Sequence, residues 1–267
     1  MKDTSVSVII PYSPAHTPAR MLEEAKRSVR QQSVSTEIIV IKDTEQRGPA
    51  WARNRGLETA ETRFVSFLDA DDLWLSGKLE RQLDCIQETD SGISVEASYN
   101  DVEVFMRDLF VMNVSSITSS ILINTKKVNV KFETKLERRE DHLFILEAAN
   151  QAGACFCSDL VKIRKHNGGL SSQNTAKLRI AQNKDFVEFV AQRVDPDLVT
   201  QYEHELYRKL YHSIGRSKHR RGEFRSAIKY LKKSLSYGFS FKTSGALTLS
   251  IAGYLSPSQN DSVIRNI

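Results

Sequence analysis

The stretch Arg63–Trp74, RFVSFLDADDLW, decides how the rest of the chain is interpreted. Phe64–Leu68 is a short apolar run with the length and composition of a buried strand. It ends at Asp69–Asp72, where three carboxylates repel one another and favour a turn. Ligands of open α/β sheets lie just beyond the carboxyl ends of strands. These oxygens are therefore suited to hold Mg²⁺ or Mn²⁺ against a phosphate-bearing substrate.

The same acidic turn has two simpler interpretations. It is consistent with a solvated surface turn, in which the carboxylates have no ligand. It is also consistent with a helix start, because Asp72 precedes LWLSGKLERQL and Asp is a favoured N-cap residue. The motifs on either side of the turn decide between these interpretations.

Length and composition indicate an ordinary globular protein. The chain has 267 residues, 40% hydrophobic and 27% charged, which suits one large α/β domain with a small appendage. No run approaches 18 apolar residues, and the N-terminus carries Asp3 without a long apolar segment. We therefore expect neither a transmembrane helix nor a secretory signal. Cys85, Cys155 and Cys157 do not have the spacing of a zinc site, and we expect three reduced thiols in the cytoplasm.

The first third of the chain alternates between strand and helix patterns. Ser5–Pro11, Glu37–Ile41 and Phe64–Leu68 are short apolar runs typical of buried strands. Helical spacing covers Leu22–Gln32 and Trp51–Thr59 between them. Strands that alternate with helices indicate parallel βαβ units and an α/β fold.

In the remaining two thirds of the chain, the predicted helices and strands alternate less regularly up to about residue 164. After that the pattern predicts helices only. We predict a helix over Leu73–Gln87, one or two strands within Ile93–Met106, an amphipathic helix over Glu140–Gln151 and a strand over Cys155–Arg164. The helices from Ala176 onward cover Ala176–Gln192, Asp197–Ser217 and Glu223–Tyr237. We therefore expect two domains, residues 1–175 and 176–267.

The charge is distributed unevenly between these two parts. The net charge is +5, but residues 176–267 hold 16 Lys and Arg against 8 Asp and Glu, a net charge of +8. The first 175 residues have a net charge of −3. Ten basic residues lie between Tyr207 and Lys233, opposed only by Glu223. This pattern fits an anionic partner such as a membrane surface, and it equally fits a solvated helical face.

Five segments in order resemble the family 2 glycosyltransferases, which have the GT-A fold. They are SVSVIIPYS, EIIVIKD, GPAWARNRGLETA, RFVSFLDADDLW and KFETKLERRED. The resemblance extends over residues 5–172 and leaves the C-terminal helices outside. It implies a Rossmann-like, mostly parallel sheet flanked by helices, with the helical C-terminal part as an extension. It also implies a nucleotide-sugar donor, a divalent cation (Mn²⁺ or Mg²⁺) and inversion at the anomeric carbon.

The resemblance assigns donor-binding roles residue by residue. The implied donor-binding residues are Pro11, Tyr12, Ser13, Asp43, Arg47, Arg53, Asp69 and Arg164. Pro11–Ser13 would contact the base and ribose, Asp43 the nucleobase, and either Arg47 or Arg53 a base or phosphate. Lys42 stands where the family has the first acid of an Asp-Asp pair. The expected donor is a UDP-sugar, but this departure leaves the nucleobase open.

The resemblance also implies the metal ligands and the general base. Asp71 would bind the cation directly, with His166 as a second candidate ligand. Arg164, His166 and Ser171 match a loop that closes over the diphosphate, although His166 is also consistent with an ordinary loop histidine. Asp141 matches the family's general base, and its simpler interpretation is a charge in the first turn of a helix.

The chemistry of sugar transfer supports the last two roles independently. Negative charge grows on the leaving diphosphate, and a cation neutralises it. The acceptor hydroxyl is a poor nucleophile, and a carboxylate within hydrogen-bond reach can take its proton. Inversion puts that base on the sugar face opposite the leaving group, so base and metal ligand come from separate segments. Asp71 and Asp141, seventy residues apart, meet that requirement.

Two other classes of protein compete with a glycosyltransferase. A sugar nucleotidyltransferase would need a Gly-rich phosphate loop with a basic residue after the first strand, where this chain has PYSPAHTPAR. A non-catalytic scaffold would not need the intact acidic motifs. For the transferase we expect a glycan or lipid-linked acceptor and no nucleic acid. We place it in the cytoplasm, peripheral on the inner face of the plasma membrane through salt-sensitive contacts of its basic helices.

Overall fold

The computed structural model of the protein describes residues 5–114, 118–164 and 175–256. Its strands are β1 (Val6–Tyr12), β2 (Thr36–Lys42), β3 (Phe64–Phe67), β4 (Leu73–Trp74), β5 (Ile93–Glu96), β6 (Leu122–Asn124), β7 (Ala154–Cys157) and β8 (Val161–Lys162). Its α-helices are α1 (Ala19–Arg30), α2 (Pro49–Thr59), α3 (Lys78–Thr89), α4 (Val102–Phe110), α5 (Glu140–Ala152), α6 (Ala176–Arg193), α7 (Pro196–Arg220), α8 (Phe224–Leu235) and α9 (Phe241–Leu255).

A six-stranded sheet in the order β2-β1-β3-β6-β5-β7 forms the centre of the fold. β1 pairs in parallel with β2 and β3, β5 pairs in parallel with β7, and β6 runs antiparallel to β3 and β5. Val6, Val8, Ile9 and Ile10 of β1 are completely buried, as expected for a strand covered on both faces. The predicted mostly parallel α/β sheet is confirmed. The carboxyl ends of β1, β2 and β3 consequently meet at one edge.

Close packing of α2 on β1 sets the position of this helix. A Cβ atom on Gly56 would lie 2.3 Å from Cγ2 of Ile9, so only glycine allows the observed approach. The same helix carries Arg53, which is thereby held at the edge where the parallel strands end.

Three local predictions after the acidic turn are wrong. Leu73–Trp74 forms β4, paired with β8, and the helix begins only at Lys78, after Gly77 with φ of 73°. Within the region predicted as one or two strands, only Ile93–Glu96 is a strand, and Val102–Phe110 is helical. The predicted strand over Cys155–Arg164 is two short strands, β7 and β8, in different sheets.

The chain divides into two compact units, Met1–Leu109 with Asn113–Pro196 and Phe110–Met112 with Asp197–Ile267. In the first unit, α6 packs with α5. This division by compactness does not test where the transferase domain ends, so the domain boundary between residues 175 and 176 stays a prediction. The second unit contains α7, α8 and α9. The sequence patterns predicted the first two of these helices and missed α9.

The structure tests two further expectations, the state of the cysteines and the presence of a membrane-spanning helix. The structure joins Cys85 of α3 to Cys155 of β7 as a disulfide and leaves Cys157 free. The expectation of three reduced thiols is therefore wrong for the first pair. In the part of the chain that the structure describes, no helix is both long and apolar enough to span a membrane.

Candidate active site

A cleft of about 350 Å³ opens where the three parallel strands end. That volume lies within the usual range for small-molecule sites. It brings together seven of the predicted site residues from four segments, namely Pro11–Ser13, Asp43, Arg53 and the Asp69 and Asp71 pair. The lining residues are Pro11, Tyr12, Ser13, His16, Thr17, Asp43, Gln46, Gly48, Pro49, Ala52, Arg53, Asp69, Ala70 and Asp71.

Ser119, which does not line the cleft, fixes the acidic turn through two hydrogen bonds of its side chain. It lies in a short 3-10 helix, Thr118–Ser120, and is fully buried. Its Oγ accepts a hydrogen bond from the backbone N–H of Asp69 at 3.0 Å and donates one to Oδ2 of Asp72 at 2.7 Å. The backbone N–H of Asp72 donates to the carbonyl of Asp69 at 3.0 Å. The turn thus presents Asp69 and Asp71 to the cleft and buries Asp72.

Asp72 is not the helix cap that its sequence position suggested. The residues after it form β4, and the following helix starts six positions later. Burial raises the pKa of Asp72 to about 6, with further contributions from the charges of Asp69 and Asp71. The hydrogen bond from Ser119 opposes this rise. Asp72 is therefore part of the support of the acidic turn.

Arg53 connects the acidic turn to the start of α5. Its side chain is 4% exposed, and it donates hydrogen bonds to Oδ1 of Asp69 at 2.8 Å and to Oε1 of Glu140 at 3.1 Å. Burial alone would lower the pKa of Arg53, but the charges of these two carboxylates raise it above its ordinary value. Burial and the nearby Asp141 charge raise the pKa of Glu140 to about 7, against the opposing effect of Arg53.

Asp141 lies in the first turn of α5, next to this ion-paired cluster. Its Oδ1 accepts a hydrogen bond from the backbone N–H of His142 at 2.8 Å. It does not line the cleft itself, although its charge also contributes to the raised pKa of Arg53. Burial lowers the pKa of His142 to about 4. The His142 imidazole is therefore neutral near pH 7. The general-base role of the neighbouring Asp141 stays a prediction.

Asp43 organises the loop between β2 and α2. Oδ1 accepts the backbone N–H of Arg47 at 3.0 Å, and Oδ2 accepts that of Gly48 at 2.8 Å. Gly48 has φ of 97°, a conformation that favours glycine, and Pro49 follows as the first residue of α2. Asp43 is 5% exposed and lines the cleft. Its predicted contact with a nucleobase stays a prediction.

Arg47 and Arg164 lie outside the cleft lining. Arg47 is half exposed and donates from Nε to Glu45 at 2.8 Å. Arg164 donates from Nε to the carbonyl of Asp71 at 2.5 Å and pairs with Glu24. It therefore fixes the backbone of the acidic turn. His166 lies outside the described residues.

Two buried polar atoms of cleft residues lack a hydrogen-bond partner among the described residues. They are Oγ of Ser13 and Nε of Arg53. Buried polar groups are almost always hydrogen-bonded in folded proteins. Both atoms therefore fit a site that accepts polar atoms of a ligand.

The acidic residues of the cleft fit a hard divalent cation. Within residues 5–114, 118–164 and 175–256, no group of three or more His, Cys, Asp or Glu could hold a metal ion alone. Asp69 and Asp71 supply carboxylate oxygens, which Mg²⁺ and Mn²⁺ prefer, and Mg²⁺ commonly takes its other ligands from water and substrate phosphates. Asp69 is ion-paired with Arg53, and Asp71, which also lines the cleft, stays the predicted direct ligand.

Sequence reasoning missed one supporting residue of this site and two supporting contacts. Ser119 lies in the polar run SSITSS, whose polarity is the one signal that it bonds to something. The ion pair between Arg53 and Glu140 joins residues 87 positions apart, which no local pattern reveals. The contact of Arg164 with the acidic turn likewise depends on folding across 93 positions.

Comparisons with known proteins identify the family. The sequence model described as "Glycosyl transferase family 2" matches residues 7–140, half of the chain. The chain therefore belongs to glycosyl transferase family 2. The chain spans between 18% and 41% of the length of the curated relatives it matches.

One relative and two solved structures illustrate the similarity. The chain is 30% identical over 107 residues to the UDP-Glc:alpha-D-GlcNAc-diphosphoundecaprenol beta-1,3-glucosyltransferase WfgD of Escherichia coli, covering 31% of this chain and 41% of WfgD. It superimposes on residues 1–349 of TarS from S. aureus with a TM-score of 0.57 and 16% identity, covering 94% and 89% of the two chains. It also superimposes on the mannosyltransferase PcManGT from Pyrobaculum calidifontis, solved in complex with GDP-Man and Mn²⁺. The TM-score is 0.57 and the identity 16%, and the match covers 96% of this chain and 82% of PcManGT. At these identities the two structures establish the GT-A fold.

Proposed function

We propose that the protein is a metal-dependent, inverting glycosyltransferase. It moves a sugar from a nucleotide-diphosphate-sugar to an acceptor hydroxyl in the synthesis of a cell-surface polysaccharide or glycoconjugate. The observation that carries the proposal is the position of Asp69 and Asp71 in the same cleft as Tyr12 and Asp43. A family 2 transferase needs a base site and a phosphate site side by side, and the shared cleft supports assigning both to these residues.

The donor is a UDP-sugar, and its parts have separate positions in the cleft. Pro11–Ser13 and Asp43 take the base and ribose, and Oγ of Ser13, which has no hydrogen-bond partner among the described residues, is a polar atom available to them. Arg53 and Asp69 line the same cleft and would lie next to the ribose and phosphates. WfgD is named for a UDP-Glc donor, and TarS has been solved with UDP-GlcNAc, which supports this choice.

Asp71 holds the divalent cation, Mn²⁺ or Mg²⁺, beside the diphosphate. Bound there, the cation would neutralise negative charge on the leaving group. The chain's own part is to fix the Asp71 backbone, which Arg164 does by bonding its carbonyl, and to keep Asp69 ion-paired with Arg53.

Asp141 acts as the general base. The acceptor oxygen forms a bond to the anomeric carbon as the bond to the diphosphate oxygen breaks, and the carboxylate takes the hydroxyl proton. Glu140 pairs with Arg53 and so holds the N-terminus of α5 at the cluster that borders the cleft. His142 is neutral near pH 7, so it adds no positive charge next to the base.

The acceptor is a glycan or a lipid-linked saccharide, and the protein works at the cytoplasmic membrane surface. WfgD is named for an acceptor on diphosphoundecaprenol, which supports a lipid-linked substrate. Arg225, Lys229, Lys232 and Lys233 are exposed on α8 and suit anionic lipid headgroups.

Calorimetry with UDP, GDP, UDP-Glc and UDP-GlcNAc, with and without Mn²⁺, tests the proposal. We expect one nucleotide to bind selectively and only with the cation, and its sugar conjugate to be cleaved slowly to free nucleotide. Selective binding without any turnover would favour the non-catalytic scaffold. Binding of none of these nucleotides would contradict both functions.

A further inference from the structure

Helix α9 has an inverted distribution of side chains. Its fully buried positions include Thr243 and Ser250, which are polar, whereas Phe241, Leu249 and Leu255 are 85%, 58% and 69% exposed. At 100° per residue, Phe241 and Leu255 lie on the side of the helix opposite the buried positions, and Leu249 lies at the edge of that side. A helix that packs only against its own protein shows the reverse arrangement, so the outward face requires an explanation.

The inward face of α9 packs against α7 and α8 of the second unit, and its polar groups have partners there. Oγ1 of Thr243 lies 2.9 Å from Nδ1 of His212, and Oγ of Ser250 lies 2.9 Å from Nδ1 of His219, both on α7. A Cβ atom on Gly253 would come within 2.7 Å of the Phe224 ring, so α8 also packs closely on α9. The packing of this unit therefore uses the small and polar side of α9.

The apolar surface continues into the turn before α9. Phe239 is 69% exposed, and its ring meets that of Phe241 edge-on, with centroids 4.9 Å apart. Of the ten large hydrophobic residues exposed within the described chain, six fall between Phe239 and Leu255. We call Phe239, Phe241, Leu249 and Leu255 the α9 patch.

The charge next to the α9 patch identifies its partner. Between Phe224 and Leu255 the chain carries five basic residues and no acidic one. Lys242 is exposed at the start of α9, and Lys232 and Lys233 are exposed at the end of α8. An apolar helix face flanked only by cations matches an anionic bilayer surface. Two copies of this chain meeting symmetrically through the patch would instead bring like charges together.

We propose that α9 is an interfacial membrane helix, which lies flat on an anionic bilayer with the α9 patch in the acyl-chain boundary. This goes beyond the electrostatic attachment proposed above, because it predicts a hydrophobic component that survives high salt. It does not depend on the reaction at the cleft.

Co-sedimentation of the whole chain with vesicles tests the inference. The vesicles are pure phosphatidylcholine, or phosphatidylcholine with phosphatidylglycerol, at low and high salt. We expect binding to the anionic vesicles with a fraction that remains at high salt. The double variant Phe239→Ser/Phe241→Ser should lower the partition coefficient by at least about tenfold and abolish the salt-resistant fraction, because both rings leave water on binding. Leu75→Ser/Val104→Ser, at exposed apolar positions of the first unit, is the matched control and should bind as wild type.

Two further measurements separate insertion from other uses of the patch. Lys232→Gln/Lys233→Gln should lose mainly the salt-sensitive part of binding. Tryptophan at Phe241 (Phe241→Trp) should be quenched by lipids brominated on the acyl chains, above the background of Trp51 and Trp74. No quenching, or full binding by the double phenylalanine variant, would contradict the inference. A wild-type dimer that the same variant converts to a monomer would also overturn it and assign the patch to self-association. UDP-sugar calorimetry on the variant tests the transferase proposal independently.

Discussion

The guanidinium of Arg53 donates a 2.8 Å hydrogen bond to Asp69, and this bond couples helix α2 to the acidic turn. A second bond from the same group reaches Glu140 at the start of α5. One buried cation thus joins three segments that carry donor-binding, metal-binding and general-base candidates. It balances two carboxylates that would otherwise repel each other.

Replacing Arg53 with methionine should destabilise the protein strongly. Arg53→Met leaves the half-buried Asp69 and the largely buried Glu140 without their cation, and breaking a buried pair costs about 3–5 kcal/mol. Arg55→Met, on the same helix, breaks an exposed pair with Glu58 and should cost at most about 1 kcal/mol. Urea unfolding of both variants measures the difference. Equal losses would show that the buried cluster contributes nothing beyond an ordinary surface pair.

Glu140 should make the stability of the protein depend on pH. Its pKa is about 7 in the folded protein and near 4.5 when unfolded, so the folded state binds the extra proton between these values. Stability contributed by the protonated carboxyl is therefore present below pH 4.5 and is lost as the pH rises toward 7. Glu140→Gln removes this titration. The unfolding free energy of the variant, relative to wild type, should rise by more than about 1 kcal/mol from pH 4.5 to pH 8. A constant difference across that range would contradict the raised pKa.

The sequence predicted the elements whose signals are local. β1 and β3 are largely buried, so each appears as an apolar run. β2 lies at the edge of the sheet and has exposed residues, but its run EIIVI was still apolar enough to be recognised. The common edge of the three strands follows from parallel pairing. The acidic turn and the cleft residues at the ends of these strands could be located for the same reason. The prediction of a helix over Leu73–Gln87 was wrong at its start, because Leu73 and Trp74 pair with β8 and form a strand instead of the first helical turn.

The rest of the site depends on contacts between distant positions. Ser119 and Arg164 reach the acidic turn only after the chain has folded, and neither has a spacing that marks it. The omission of α9 has a different physical reason. Most of its large side chains are exposed, and its buried residues, Thr243, Ala246 and Ser250, are all small, so the usual hydrophobic periodicity does not describe its packing.

Asp71→Ala should abolish cation-dependent binding of the donor and leave the fold intact. The residue lines the cleft at a turn, and its loss removes the carboxylate best placed for the cation. Asp84→Ala removes an exposed carboxylate of α3 and is the control. Calorimetry with UDP-sugar and Mn²⁺ compares the two variants with wild type. Unchanged affinity in Asp71→Ala would exclude Asp71 from the metal site.

Asp141→Asn should separate binding from catalysis. The amide cannot take the acceptor proton, so the rate of transfer should fall by on the order of a hundredfold or more while donor affinity stays as in wild type. Glu140→Gln at the adjacent position keeps a hydrogen-bond acceptor for Arg53 and should lose much less activity. UDP release at saturating donor measures both. If Glu140→Gln shows the larger loss, Glu140 is the base.

Ser119→Ala should weaken donor binding from a position outside the cleft. The variant leaves the buried backbone N–H of Asp69 and the carboxylate of Asp72 without their common partner, which costs about 1–3 kcal/mol of stability. Ser120→Ala is the matched control, since Ser120 lies in the same 3-10 helix and its Oγ accepts the backbone N–H of Glu96 at 3.2 Å. Both variants should unfold at lower urea concentration, but only Ser119→Ala should lower the affinity for UDP-sugar with Mn²⁺, because only it releases the acidic turn. Equal donor affinities in the two variants would reduce Ser119 to a purely structural residue and leave Arg164 as the residue that positions Asp71.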